Sequence, residues 1–227
     1  MRIRTLLVLL LSLALVPSAA FAQKKNKKAA AAPAAASSGL EGVDSGAVYA
    51  TFENFKNKAD AAMANKDDPA ELASLFVQAM VARTIDKEYG EALMGYIVDD
   101  KYRKADGGSP SGFVINSVFQ REMSEPDKKP RILWAYCGGT IKGDYEDYSF
   151  ANCEPNLDRD YSSKMQGPRS GRAKYFVTNN GAARPRPVNL KQAEDGTWRV
   201  ETVSGLMTGI AATATETAAK EAERAKE

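Results

Sequence analysis

The sequence predicts an α+β domain in which three or four N-terminal helices pack on a curved antiparallel sheet of about five strands. Three observations carry this. Apolar residues recur at steps of three and four from about Val48 to Arg121, then shift toward alternation after Pro130. Helical segments come first and strands afterwards, an order that favours α+β over a doubly wound sheet. The later runs are separated by Gly, Pro, Asn and Asp clusters that read as turns, and no internal repeat is present.

The chain opens on an expected leader. Arg2 and Arg4 precede an apolar run from Leu6 to Val16, Pro17 ends it, and Ala20-Phe21-Ala22 supplies a small-x-small cleavage pattern. The run is short of the roughly 20 residues that a membrane-spanning helix needs. No Cys stands at the cleavage point, which argues against a lipid anchor. A cut after Ala22 therefore predicts a secreted or periplasmic protein with no transmembrane segment in the mature chain. The leader holds two of the 31 basic residues and no acid, so the remainder is balanced against its 29 acids. Such a chain has no global charge with which to hold nucleic acid. Residues 23–45 form a linker, with Lys24, Lys25, Lys27 and Lys28 ahead of an Ala/Pro/Ser run. It reads as a solvated spacer, with contact to anionic envelope polymers or head groups as the alternative.

A single domain is expected over residues 46–208. Val48, Phe52, Phe55, Ala59 and Met63 share one face of a first helix. Asp68-Pro69-Ala70-Glu71 starts a second, with Asp as N-cap and Pro in the first turn. Leu72, Leu75, Phe76, Ala79 and Met80 form its buried stripe. A third begins near Asp86 and turns Tyr89, Leu93, Tyr96 and Ile97 to one side. Phe113 to Arg121 reads as a short fourth helix ending before Pro126, although Phe113–Phe119 also suits a strand. Five strands follow: Arg131–Cys137, Tyr148–Asn152, Lys174–Thr178, Pro187–Gln192 and Trp198–Val203. Asn179-Asn180-Gly181 and Asp195-Gly196 mark turns between the last three. Residues 209–227 form a polar Ala/Glu/Lys tail with helical propensity and no large apolar stripe.

The segment Lys174-Tyr175-Phe176-Val177-Thr178, followed by Arg184-Pro185-Arg186-Pro187 and Gly196-Thr197-Trp198, resembles the ending of a bacterial family of uncharacterised secreted or envelope proteins. Leu75–Met80 and Tyr96–Asp100 resemble its helical part, so the likeness spans about residues 70–207. It implies no activity. Helices ahead of a curved sheet are also similar to the nuclear-transport-factor-like cone fold, which implies a hollow without specifying chemistry.

Histidine is absent, which removes Ser/His/Asp and Cys/His nucleophile pairs and His-containing metal sites. Cys137 and Cys153 read as a structural disulfide in an oxidising compartment; a redox pair is the alternative, without the C-x-x-C spacing it usually has. Closing a loop of about 15 residues is worth roughly 3 kcal/mol on the chain-entropy argument. Trp134, Tyr136, Tyr175 and Trp198 are core aromatics or the walls of a pocket. Arg184 and Arg186 could contact an anion, although Pro185 and Pro187 suggest an edge strand with outward charges. Asp144, Glu146 and Asp147 could offer oxygens to Ca²⁺, but their spacing matches no EF-hand and a solvated tip explains them equally. Asp99 and Asp100 read as ordinary turn residues or as paired carboxylates. The loop over residues 154–171, with Asp158-Arg159-Asp160 and Ser162-Ser163, could act as a lid or recognition surface.

No catalytic residue, metal or cofactor is assigned. The leading expectation is a non-catalytic association domain whose partner is an unknown protein or envelope component. The alternatives are a small-molecule binder using a pocket in the sheet, and an enzyme built on Asp and Tyr. An aromatic-lined pocket would favour the binder, and a buried carboxylate bonded to a Tyr inside a pocket would favour the enzyme.

Overall fold

Local capping chemistry sets the helix boundaries, and the second helix sets everything packed around them. The computed structural model describes residues 39–41, 43, 47–150, 153–159, 168–202 and 204–226. The leader, Lys24 to Lys28 and most of the linker lie outside the described residues, as do Asn152, Asp160, Ser162, Ser163 and Val203.

Helix α1 spans Phe52–Ala64, started by Thr51, whose hydroxyl accepts from the Asn54 N–H at 3.2 Å. Helix α2 spans Ala70–Ile85; Asp68 Oδ1 accepts the Ala70 N–H at 3.2 Å, one residue later than a simple N-cap reading places the start. Asp86 caps α3, Lys87–Ile97, by accepting the Tyr89 N–H at 3.0 Å. Every residue of α2 from Leu72 to Arg83 is buried. A helix buried on all sides lies inside a core, and α2 packs against α1, α3 and the sheet.

Two glycines let α3 approach its neighbours. A Cβ on Gly90 would lie 2.3 Å from the Arg83 Cα on α2. A Cβ on Gly95 would lie 2.7 Å from the Val114 Cα in strand β2, Phe113–Ile115. Strand β2 pairs antiparallel with β1, Arg103–Ala105, in a small hairpin that the sequence reading does not contain. The Phe113–Phe119 ambiguity resolves into both elements. Asn116 ends the strand and caps α4, Ser117–Glu122, by accepting from the Val118 and Phe119 N–H groups. Pro126 falls inside the next short helix, α5, Ser124–Lys128, and does not merely follow the helical segment.

The expected strand Arg131–Cys137 is helical. Helix α6 covers Arg131–Trp134 and runs on as a 3-10 turn through Cys137. Pro130 lies in the helical region (φ −58°, ψ −24°), and its carbonyl accepts from the Leu133 and Trp134 N–H groups. Alternating large residues gave a period of two, but Ile132, Leu133 and Tyr136 also fit one helical face, and all three are buried. Gly138, at φ 94°, ends the turn. Tyr148 and Phe150 form no strand either; Tyr148 stacks on Trp134 with ring centroids 4.7 Å apart.

The remaining strands form one antiparallel sheet in the order β3-β4-β5, comprising Arg172–Val177, Arg186–Gln192 and Trp198–Thr202. With the β1/β2 hairpin, the described residues hold two small antiparallel sheets and seven α-helices. The fold is therefore α+β, and among the described residues there is no five-stranded curved sheet. Single bridges flank the larger sheet, Leu157 beside Val177 at one edge and Val98 beside Val200 at the other. Strand β4 is central, which corrects the edge reading of the Arg-Pro segment. Pro187 is tolerated because the pairing to β5 begins only at Asn189. The final helix, α7, Ala214–Arg224, has a capping box between Thr213 and Glu216 and buries none of its own residues. It is held at its first turn, where Glu216 pairs with Arg131 at 2.6 Å.

The α2–α3 contact makes a direct prediction. Gly90→Ala forces a methyl group into the α2 backbone and should destabilise the fold by about 3 kcal/mol in urea unfolding. Gly107→Ala, with nothing within 4 Å of the added carbon, is the near-neutral control.

Candidate functional site

Glu71, Ser74 and Gln78 follow one another at steps of three and four, which places them in one line along α2. The rest of that helix as far as Ala82 is apolar, so the line is a polar stripe on a core helix. Ser74 and Gln78 are buried and Glu71 is exposed. Opposite them runs the segment 153–159. The Ser74 hydroxyl donates to the Pro155 carbonyl at 3.1 Å, and Gln78 Nε2 donates to the Cys153 carbonyl at 3.0 Å. Between stripe and segment lies a cleft of about 700 Å³.

Its floor is the Ser74 and Gln78 pair. Apolar wall is supplied by Val48, Pro155 and Leu157, and charge by Lys58, Glu71, Glu154 and Arg159. The far wall is fixed three times over. Cys153 is bonded to Cys137, Leu157 bridges to Val177, and the Asp158 N–H donates to the Phe176 carbonyl at 2.9 Å. The two α2 donors are thus used in holding that wall. Gln78 Oε1 is sealed from solvent and has no hydrogen-bond partner among the described residues. An unmet buried acceptor costs about 1–3 kcal/mol.

Asp68 joins the cleft to the sheet. Its Oδ2 takes Arg159 Nη1 at 2.6 Å, and its Oδ1 accepts the Tyr175 hydroxyl at 3.0 Å. Burial would raise the Asp68 pKa, but the hydrogen bonds from Arg159, Tyr175 and the Ala70 N–H outweigh it and hold the carboxyl below its ordinary value. Burial and the Asp68 bond both push the Tyr175 hydroxyl up. Asp60 and Tyr96 repeat the pattern at 2.5 Å, with the acid lowered despite burial and the phenol raised by burial and by the acid. In both pairs the two partners move apart from neutrality, so each suits a structural hydrogen bond better than proton exchange.

The four aromatics read as core or pocket walls do not line the larger cleft. Tyr136, Tyr175 and Trp198 are buried in the core, and the Tyr136 hydroxyl donates to the Leu206 carbonyl at 2.9 Å. Trp134 alone lines a cleft, a smaller one of about 370 Å³ beside Arg131 and Glu216. Arg184 is exposed, whereas Arg186 is half-buried and donates to the Gly209 carbonyl at 2.9 Å, so the two guanidinium groups have different surroundings. Two carboxylates of the acidic segment are already partnered. Asp147 accepts from the Thr140 N–H and hydroxyl, and Asp144 accepts from the Thr215 N–H and hydroxyl. Asp99 accepts the Lys101 N–H, while Asp100 pairs with Arg103. Among the described residues no group of three or more Cys, Asp or Glu is placed to hold a metal ion. Of the candidate site residues named from the sequence and described in the structure, Arg159 lies on the larger cleft, beside Val48 and Glu71 from the expected helices. The α2 stripe was missed because the apolar periodicity around it drew the reading; three polar residues on one line of a core helix were the available signal.

Comparison with known families matches residues 48–214 to the one described as Domain of unknown function (DUF6935). Every residue that lines the larger cleft falls within the matched span. No curated protein and no solved structure matches the chain.

The Asp68 hub predicts an acid-side dependence. Because its folded pKa is lowered, its stabilisation is present above the ordinary aspartate value and is lost as pH falls through the folded value. Asp68 is nearly half exposed, so solvent screening keeps the effect of Asp68→Asn at neutral pH to about 1 kcal/mol or less. The gap between wild type and variant should begin to close below about pH 3.9 in denaturation curves. A constant gap down to lower pH would remove Asp68 from this role.

Proposed function

The chain belongs to the DUF6935 family, and from that premise we propose that it is an exported, non-catalytic binding domain whose ligand enters the cleft between α2 and residues 153–159. The observation that carries the reading is a cleft lined by Lys58, Glu71, Glu154 and Arg159 whose wall is fixed by a disulfide and sheet pairing. A charged recess with a pinned wall is arranged to orient a polar ligand. Among the described residues the cleft holds no nucleophile paired with a base, which favours binding over covalent chemistry. The leader pattern and the Cys137–Cys153 bond support export to an oxidising compartment, periplasmic or extracellular.

Two measurements test this. Thermal unfolding with a panel of solutes, namely a zwitterionic peptide, an amino sugar and a phosphate ester, should show a higher Tm with at least one of them. Saturation at about 100 times Kd corresponds to about 2.7 kcal/mol. Gln78→Leu should abolish that rise, and a panel that never moves Tm would overturn the binding reading. For export, protein isolated from native cells without reductant should begin at Gln23 and show Cys137 linked to Cys153 by mass spectrometry. A retained Met1 would overturn it.

A further inference from the structure

We infer that residues 209–226 form a strap that docks and folds in one step. Helix α7 is helical only while its first turn is clamped to the corner made by α6 and residues 140–147, and its release leaves the rest of the domain folded.

Length and burial carry the coupling of folding to docking. An isolated helix shorter than about 12–15 residues is marginal in water even with good helix formers, and α7 has 11. Packing along its length does not make up the difference, since Thr213 is the one buried residue among the described residues 208–226. What remains is the first turn, and its partners come largely from the body of the domain. Asp144 accepts the Thr215 N–H at 3.2 Å together with the Thr215 hydroxyl. Glu216 accepts the Thr213 N–H at 3.2 Å, which closes the capping box, and the same carboxylate pairs with Arg131 at 2.6 Å. One side chain thus starts the helix and docks it.

The kind of contact carries the separate release. Ahead of α7 the strap is held by polar bonds. The Ala211 N–H donates to the Gly181 carbonyl at 2.8 Å, and the Ala211 carbonyl accepts from the Tyr145 hydroxyl at 3.2 Å and from Arg131 Nη1 at 3.1 Å. Arg186 Nη2 donates to the Gly209 carbonyl at 2.9 Å. The last buried apolar anchors, Leu206 and Met207, precede the strap and belong to the core. Segments with few buried apolar contacts open without global unfolding. The receiving corner also holds a costly backbone shape. Asp144 (φ 53°) and Tyr145 (φ 65°) are consecutive left-handed residues, neither is glycine, and both bond the strap. Docking offsets that cost, and release relaxes it. Release also uncovers the fully buried Tyr145 and removes Thr213, Thr215 and Glu216 from the smaller cleft that Trp134 lines. The strap is therefore a cover over an aromatic corner.

Hydrogen exchange of the full-length protein, followed by mass spectrometry, tests this against a synthetic peptide of residues 209–226. Wild-type α7 should exchange at least tenfold more slowly than the free peptide, and α2 more slowly still. Glu216→Ala removes the capping box and the Arg131 pair from α7 itself, and should bring α7 to the free-peptide rate with α2 unchanged. Asp144→Gly suits the left-handed backbone while deleting the clamp, so it should release α7 without disturbing the corner. Lys220→Gln, at an exposed position on α7, should leave exchange as in the wild type. Wild-type α7 exchanging as fast as the free peptide would overturn the docking. Unchanged α7 protection in both Glu216→Ala and Asp144→Gly would overturn the clamp. Equal loss of protection in α2 and α7 would overturn release as a separate unit.

Discussion

The whole arrangement depends on burying α2 on every side. A helix can occupy that position because its backbone bonds are internal, so only its side chains need partners. Leu72, Leu75, Phe76, Val77, Met80 and their alanine neighbours find apolar ones. The polar residues among them cannot, and each draws in a distant piece of chain. Ser74 and Gln78 hold residues 153–155 from about eighty positions away. Arg83, buried, is held by Glu91 on α3 and by Asp127 on α5, and Gln120 donates to the same Glu91. Removing Arg83 would leave the buried Glu91 carboxylate uncompensated, and breaking a buried pair in this way typically costs about 3–5 kcal/mol. Three polar residues on one core helix therefore fix the placement of α3, α5 and the cleft wall together.

The cleft follows from this constraint. Segment 153–159 is drawn to α2 by two side-chain bonds, to Cys137 by the disulfide and to β3 by backbone pairing. Once those bonds are made, the Ser74 hydroxyl proton and one of the two Gln78 amide protons are no longer free. Structural duty thus determines the chemistry of the recess. The Asp68 contacts extend the same logic, since one carboxylate starts α2, steadies Arg159 and anchors Tyr175 of β3.

Much of the helical half was legible because capping is local. Asp68, Asp86 and Asn116 each bond amides two or three residues ahead, which a single sequence displays. The last three strands were legible for the same reason, with Gly196 at φ 82° and Asp195 closing the final turn. Arg131–Cys137 misled because Ile132, Trp134 and Tyr136 alternate, while the preceding Pro130 favours a helix start equally well. The acidic segment misled differently. Its carboxylates are partnered by Thr140 and Thr215, and the second lies seventy residues away in the first turn of α7. The cleft was illegible as a site because its two sides meet only through tertiary bonds, although the stripe on α2 could be read.

The absence of histidine acquires a structural meaning in this setting. The charge on the cleft is carried by Lys, Arg and Glu, residue types whose ordinary pKa values lie well away from neutrality. Where shifts occur nearby, in Asp68 and Tyr175, they move the acid down and the phenol up. General acid–base catalysis works best with a group that titrates near the working pH, whereas recognition of fixed ligand charges is best served by groups that do not. The charge pattern of the cleft is local, because 31 basic and 29 acidic residues leave the chain with little net charge, so discrimination depends on contact within the cleft and little on long-range attraction.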